Sequence, residues 1–267
     1  MAIAALYSAA TGMKVMDTQL DVIANNLANT HTNGFKSSRA NFEDLFYEER
    51  RQPGALNSLG QVSSTGLFVG LGARVSNTQL NFGTGSFENT GRELDIAIAG
   101  QGFFKVTTFD GIGGGEGYTR AGNFIKDQEG NLVLGTANGP LLEPAINIPS
   151  EAQQITIQGD GTVSVMIGDT SQEVGTIQLF RFPNPHGLRM EGGNIFTETE
   201  ASGAPAAGEP GDEGYGTLTQ NFLESSNVDS VKELIRMIRT QRSFELNSQV
   251  IRAADESMQV VGRLRSR

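Results

Sequence analysis

Residues 6–29 read LYSAATGMKVMDTQLDVIANNLAN. Leu6, Met13, Leu20 and Leu27 fall seven apart, and Ala9, Met16 and Ile23 form a second row three residues later. Two apolar rows at this spacing make an a/d seam, the stripe along which one helix packs on another. The spacing predicts a helix of about 27 residues. Asn29, Asn33 and Gly34 stop it, because Asn and Gly tolerate the left-handed conformation that ends helices.

The other end of the chain has the same period. Asn227 is placed to cap a helix opening at Val228, and Val231, Leu234, Ile235 and Ile238 form its first stripe. The seam continues through Phe244, Ile251 and Met258, with Ala254 and Val261 beside it, and Arg263, Arg265 and Arg267 crowd a last turn that favours cations. A helix of about 35 residues, roughly 55 Å long, is expected. Two such helices bury only part of their apolar surface when paired alone, so further partners are expected to cover the rest.

Between these ends the pattern changes to period two. In ITIQGDGTVSVMI (155–167), Ile155 and Ile157 precede a turn at Asp160-Gly161, and Val163, Val165 and Ile167 follow it, which predicts a β-hairpin. Short runs at 96–98, 104–106, 132–134 and 177–179 predict further strands, in a compact barrel or sandwich. Residues 111–117 and 201–216 read as exposed loops. The 34 glycines in 267 residues agree with a chain of many turns. The fold class is therefore α+β, with long terminal helices and a β-rich middle.

Composition narrows the function. With no Cys there is neither a disulfide framework nor a thiolate metal site. A net charge of −10 argues against nucleic acid as a partner, since phosphate contacts require a basic face. The acidity belongs to residues 51–227, with eight Lys/Arg against nineteen Asp/Glu, whereas residues 228–267 carry eight against five. No apolar run approaches the roughly 20 residues of a membrane helix, so no membrane insertion is expected. The start lacks a basic n-region, and no cleaved leader is expected.

The catalytic inventory is thin. His31 and His186 sit in loop contexts without a second His or Cys nearby, and read as solvated. Glu43-Asp44 and Glu48-Glu49 are carboxylate pairs that a cell-wall hydrolase would use, but nothing apolar nearby would raise a pKa. Asp127, Glu129 and Asn131 lack the closing Glu of a calcium loop. No catalytic, cofactor or metal residue is assigned. A binding module built on the β-rich middle stays open beside a filament subunit.

The terminal and central segments together resemble one family, the axial proteins of the bacterial flagellum, its rod and hook subunits. The resemblance rests on Leu6 to Met13, Asp21 to Asn29 and Thr32-Asn33-Gly34-Phe35-Lys36 at the start, and on Asp95 to Ile98, Gly100 to Phe104 and Tyr118 to Gly122 in the middle. Ser226-Asn227-Val228, Glu233-Leu234, Met237-Ile238 and Gln241 to Glu245 carry it at the end, with Phe244 where Tyr is frequent. Phe46 to Ala55 (FYEERRQPGA) is similar to the segment that marks distal rod subunits, and a proximal rod or hook-type subunit is the alternative.

The resemblance implies a structural, non-enzymatic subunit of a straight hollow helical tube that carries motor torque to the hook. It implies a coiled-coil-like inner domain made of residues 1–34 and 225–267, an extended arm at 35–72, and an outer β-rich domain at 73–224. Leu6, Met13, Leu20, Ile23, Asn25, Asn26, Leu27, Asn29, Ile235, Ile238, Phe244, Ile251 and Met258 would then form the polymerisation interface. Tyr47, Arg50, Arg51, Gln52, Pro53 and Gly54 would form the rod-specific arm, with a turn at 52–54 that brings Tyr47, Arg50 and Arg51 near its tip. The implied partners are further copies of the chain, other rod, hook and hook-junction proteins, surrounding ring proteins and the flagellar type III export apparatus, in a periplasm-spanning basal body.

Overall fold

The computed structural model describes residues 2–54, 62, 64–108, 113–136 and 139–265. They form two units, Met1–Leu27 with Ser38–Gln79 and Ser230–Arg267, and Ala28–Ser37 with Leu80–Asp229.

The first unit holds both long helices, α1 (Ala2–Ala28) and α2 (Ser230–Arg265), of 27 and 36 residues. It also holds β1 (Ser38–Asp44), β2 (Tyr47–Arg51), β3 (Leu67–Gly70) and most of β4 (Ala73–Leu80). β1 pairs with β4, and β2 with β3. Between the pairs, the Leu45 N–H donates to Gly72 O at 2.8 Å and the Leu71 N–H to Phe46 O at 3.1 Å, so the four strands form one two-stranded ribbon. Gly72, at φ +111°, passes so close to α1 that a Cβ would overlap Thr11 Oγ1. Only glycine serves there. The helix caps differ from expectation: α2 opens at Ser230 rather than Val228. The Asn227 side chain instead accepts from the Ser37 N–H at 2.8 Å and donates to Asn81 O and Gly83 O at 2.8 and 2.9 Å. The side chain thus serves backbone groups of residues 37, 81 and 83 in place of the helix end.

The second unit is antiparallel β. Its strands are β5 (Phe87–Asn89), β6 (Ile96–Ala99), β7 (Phe104–Thr107), β8 (Glu116–Thr119), β9 (Phe124–Lys126), β10 (Leu132–Leu134), β11 (Leu141–Glu143) and β12 (Gln154–Ile157). They continue with β13 (Thr162–Ile167), β14 (Thr170–Thr176), β15 (Leu179–Arg181), β16 (Arg189–Gly192), β17 (Ile195–Thr197), β18 (Ala206–Gly208), β19 (Thr217–Gln220) and β20 (Phe222–Glu224). One sheet runs β16-β17-β8-β7-β11-β10-β9, and β12-β13-β14 and three two-stranded pairs accompany it. The hairpin at Asp160-Gly161 is present, with Ile155 opposite Val165 and Ile157 opposite Val163. Ile177 is buried but precedes β15, and β18 with buried Ser202 lies inside the stretch 201–216 expected to be a loop. β18 pairs with β15 through backbone bonds that Ala and Gly supply as well as any residue, so side-chain pattern could not reveal it.

Two clusters fill the core of this unit. Ile96, Ile98, Phe104, Phe124, Leu132, Leu134, Leu142 and Ile177 are fully enclosed in one. In the other, aromatic edges meet faces: Tyr118 lies 4.8 Å from Phe182, and Phe82 5.5 Å from Phe103, the geometry the ring quadrupoles favour.

Where the chain enters, crosses and leaves this unit, three charges meet out of water. Glu224 Oε1 accepts from Lys36 Nζ at 2.6 Å and from the Gly85 N–H at 2.8 Å, and its Oε2 lies 3.0 Å from Arg120 Nη2. Arg120 Nη1 also donates to Gly100 O and Gly102 O at 2.9 and 2.7 Å, and Lys36 Nζ to Gly83 O at 2.9 Å. Burial, reinforced by Arg120, holds the Lys36 ammonium below the ordinary lysine pKa against the opposite pull of Glu224.

The hairpin turn offers a pH test. The Thr162 N–H on Asp160 Oδ1, at 3.0 Å, holds that carboxyl below its ordinary pKa. A carboxyl lowered in the folded state contributes stability above its unfolded pKa, near 4, and loses it as pH falls through the folded value. NMR titration should show the Asp160 Cγ resonance moving at lower pH than that of an unperturbed aspartate; a midpoint at or above 4 would disprove the turn bond.

Candidate assembly surface

The first unit presents two chemically distinct surfaces. On α1, Ala9, Val15, Ile23 and Asn26 are buried, and Leu6, Met13, Leu20 and Leu27 are half-buried. Gly12 lies against α2, where a Cβ would stand 3.0 Å from Asn247 Nδ2. Asn26 spends its amide within the chain: Nδ2 donates to Ser38 O at 2.7 Å and Oδ1 accepts from the Ser38 N–H at 2.9 Å, as a strand partner would, at the start of β1. Asn25 is exposed, and Asn29 is half-buried, accepting from Thr32 Oγ1 at 3.1 Å.

On α2 the two faces separate. Asn247, packed against Gly12, shares a face with Phe244 and Ile251, both half-buried. The opposite face carries Val231, Leu234, Ile235, Ile238, Leu246, Val250 and Val260, all exposed, with Val231 at 65% and Leu246 at 61%. Met258 is exposed as well. Of the thirteen expected interface residues, Ile23 and Asn26 are therefore committed within the chain, whereas Ile235, Ile238 and Met258 lie open. The stripe Val231 to Ile238 points away from the helix partner. Leu246, Val250 and Val260 extend it and were not singled out from sequence, although their helical spacing from Ile238 was the available signal.

The second surface is the ribbon. β2 is exposed at every residue, with Tyr47 opposite Gly70, Glu48 opposite Val69, Glu49 opposite Phe68 and Arg51 opposite Leu67. Phe46 is 88% exposed, and Tyr47, Leu67 and Phe68 are at least half so. Arg74 pairs with Glu43 and Arg39 Nη2 donates to Gln79 at 2.8 Å across the ribbon, whereas Arg50 pairs with Glu48 at 3.3 Å along β2. A hydrogen bond to the Asp44 carboxylate pushes the Tyr47 hydroxyl pKa up. Gln52, Pro53 and Gly54 are exposed, and Pro53-Gly54 turns, with Gly54 at φ +83°. Residues 55–61 and 63 of the expected arm lie outside the described residues. A two-stranded ribbon on its own is marginal in water.

Among the described residues no His, Asp and Glu cluster is placed to hold a metal. Asp127 accepts instead from the N–H groups of Glu129 and Asn131 at 2.9 and 2.8 Å, a plain turn. His31 is exposed, and His186 Nδ1 lies 2.9 Å from Leu80 O. No described helix is long and apolar enough to cross a membrane.

Long helices at both ends of a β-rich middle, one of them with an apolar face open, define the class, an α+β chain bounded by helices. Comparison with known proteins gives the class its family. Residues 6–36 match the flagella basal body rod protein family, residues 97–165 the flagellar hook protein FlgE/F/G D1 domain, and residues 219–264 the flagellar basal body rod FlgEFG protein C-terminal family. The flagellar basal-body rod protein FlgG of Agrobacterium fabrum is 44% identical over 97% of this chain and 98% of its own length. FlgG of Buchnera aphidicola subsp. Baizongia pistaciae is 42% identical over 96% and 98%, and that of Bacillus subtilis 41% over 95% and 96%. The chain belongs to the flagellar basal-body rod protein family.

Proposed function

We propose that this chain is the distal rod subunit of the bacterial flagellum, which polymerises into a straight hollow helical tube transmitting motor torque to the hook. The observation that carries the reading is α2, apolar on opposite faces with only one of them covered. A helix exposing Val231, Leu234, Ile235 and Ile238 in a row requires a partner to remove that stripe from water. Repeated head-to-tail contact of one face with a different face of the next copy generates an open helix rather than a closed ring. The relatives named FlgG, aligned over nearly the whole chain, support the distal rod in particular.

In this reading the chain works by building, with no catalytic role, no cofactor and no metal. Its terminal helices form the coiled-coil-like inner domain, with Leu6, Met13, Leu20, Leu27, Phe244 and Ile251 in the seams and Ile235, Ile238 and Met258 meeting other copies. It leaves the cytoplasm through the type III export apparatus and joins the rod proteins below it, the hook or hook-junction proteins above it and the rings around it. The ribbon, through Tyr47, Arg50, Arg51 and the turn at Gln52-Pro53-Gly54, braces neighbouring subunits and keeps the tube straight.

Cryo-electron microscopy of concentrated protein tests both parts. The full chain should form straight tubes of helical symmetry; ring or aggregate formation alone would refute the reading. Deletion of residues 46–55 should preserve export and polymerisation, because both helices survive, but should let the tube bend. A deletion polymer as straight and stiff as the parent would reject the bracing role.

A further inference from the structure

The open faces of the two long helices are spaced alike. On α1, Tyr7, Ala10, Lys14, Asp17, Asp21 and Ala24 are exposed, at alternating steps of three and four residues that keep them on the side away from Gly12. On α2, Ile235, Ile238, Arg242, Glu245, Gln249 and Arg252 are exposed at the same alternation, on the side away from Asn247. Lys14, Asp17 and Asp21 are the only charged residues of α1. Neither they nor Arg242 and Glu245 have an ion-pair partner among the described residues. Both rows therefore hold their charges ready for another chain.

We propose that the α2 row of one copy docks antiparallel on the α1 row of a second copy, in a single register set by charge. Taken backwards from Ala24 to Tyr7, the α1 row matches the α2 row from Ile235 to Arg252 step for step. Asp17 then faces Arg242, and Lys14 faces Glu245. Ile235 lies on the small Ala24, and Arg252 meets the Tyr7 ring, a cation on an aromatic face. Run parallel over the same residues, Lys14 would face Arg242 and Asp17 would face Glu245, like charge on like. An antiparallel slip of one heptad sets Asp21 on Glu245 and Lys14 on Arg252 in one sense, and Asp17 and Lys14 on Ile235 and Ile238 in the other. Charge at such positions chooses orientation and register, while the apolar stripe supplies the burial. The contact joins two different faces of one chain, so it repeats from copy to copy without closing. It rests on the reading that the chain polymerises, and it names the face that covers Ile235 and Ile238.

The test reverses charges in the full-length chain and reads, by sedimentation, the concentration needed for polymer growth. Asp17→Arg and Arg242→Glu should each raise it about tenfold or more, because like charges then face each other across the contact. An equal mixture of the two variants should grow within about threefold of the wild-type concentration, since each sets an opposite charge before the other. The chain carrying both substitutions should recover too. Lys14→Glu and Glu245→Lys repeat the comparison at the neighbouring pair. Recovery of the double variant without recovery of the mixture would place the pair inside one chain and overturn the proposal. Single variants that grow like wild type would overturn it as well, as would losses that neither the mixture nor the double variant repairs, and in both cases the rod reading would stand. Wild-type protein that never polymerises would instead remove the rod reading, and this contact with it.

Discussion

Glu224→Ala is expected to lower the stability of the β unit by about 3–5 kcal/mol, the usual cost of breaking a buried ion pair by removing one partner. The substitution leaves Lys36 and Arg120 buried with no anion between them, and it frees the Gly85 N–H as well. Domains of this size are stable by only about 5–15 kcal/mol, so most of the margin would go. Urea unfolding of the full chain should show the midpoint falling, read by near-ultraviolet signals of the tyrosines. Glu224→Gln, which keeps the side-chain shape and the acceptor at Oε1, should lose less. A loss below about 1 kcal/mol for the alanine variant would mean that the cations find other partners, contrary to the geometry.

Ile238→Asp is expected to abolish polymerisation while leaving the chain folded. Ile238 is 43% exposed, so aspartate is tolerated in the free subunit. Once a neighbour covers the stripe, an unpaired carboxylate there costs several kcal/mol. At 1.4 kcal/mol per factor of ten, the concentration needed for growth should rise at least about a hundredfold. Gln172→Asp, exposed on β14 and not part of the stripe, should polymerise near the wild-type concentration. Sedimentation of the two variants gives the answer: pelletable tubes of Ile238→Asp at the parental concentration would remove this stripe from the interface.

The elements most legible in the sequence were those whose signal is local. Leu6, Met13, Leu20 and Leu27 define α1 to within a residue or two, because a helix brings every seventh residue to one side whatever surrounds it. Asp160-Gly161 marks its hairpin because the turn needs a positive φ that Gly161 supplies at +89°. Asn227 misled in the same local way. A side chain suited to capping was taken by backbone groups near residues 37, 81 and 83, which no window of neighbouring residues contains.

By itself, then, the sequence determined that long helices bound a β-rich middle, that no thiol chemistry operates, and that the helices carry more apolar surface than one pairing covers. Only the tertiary structure decided which surface that is. Apolar residues lie on both sides of α2, and their spacing does not rank the sides; packing placed Glu233 and Thr240 inside and Val231 and Ile238 outside, against the hydropathy of the residues. The meeting of Lys36, Arg120 and Glu224 was likewise invisible, because Lys36 and Glu224 are 188 positions apart. Each reads alone as a solvated charge, and only the fold removes the water that would have made them so.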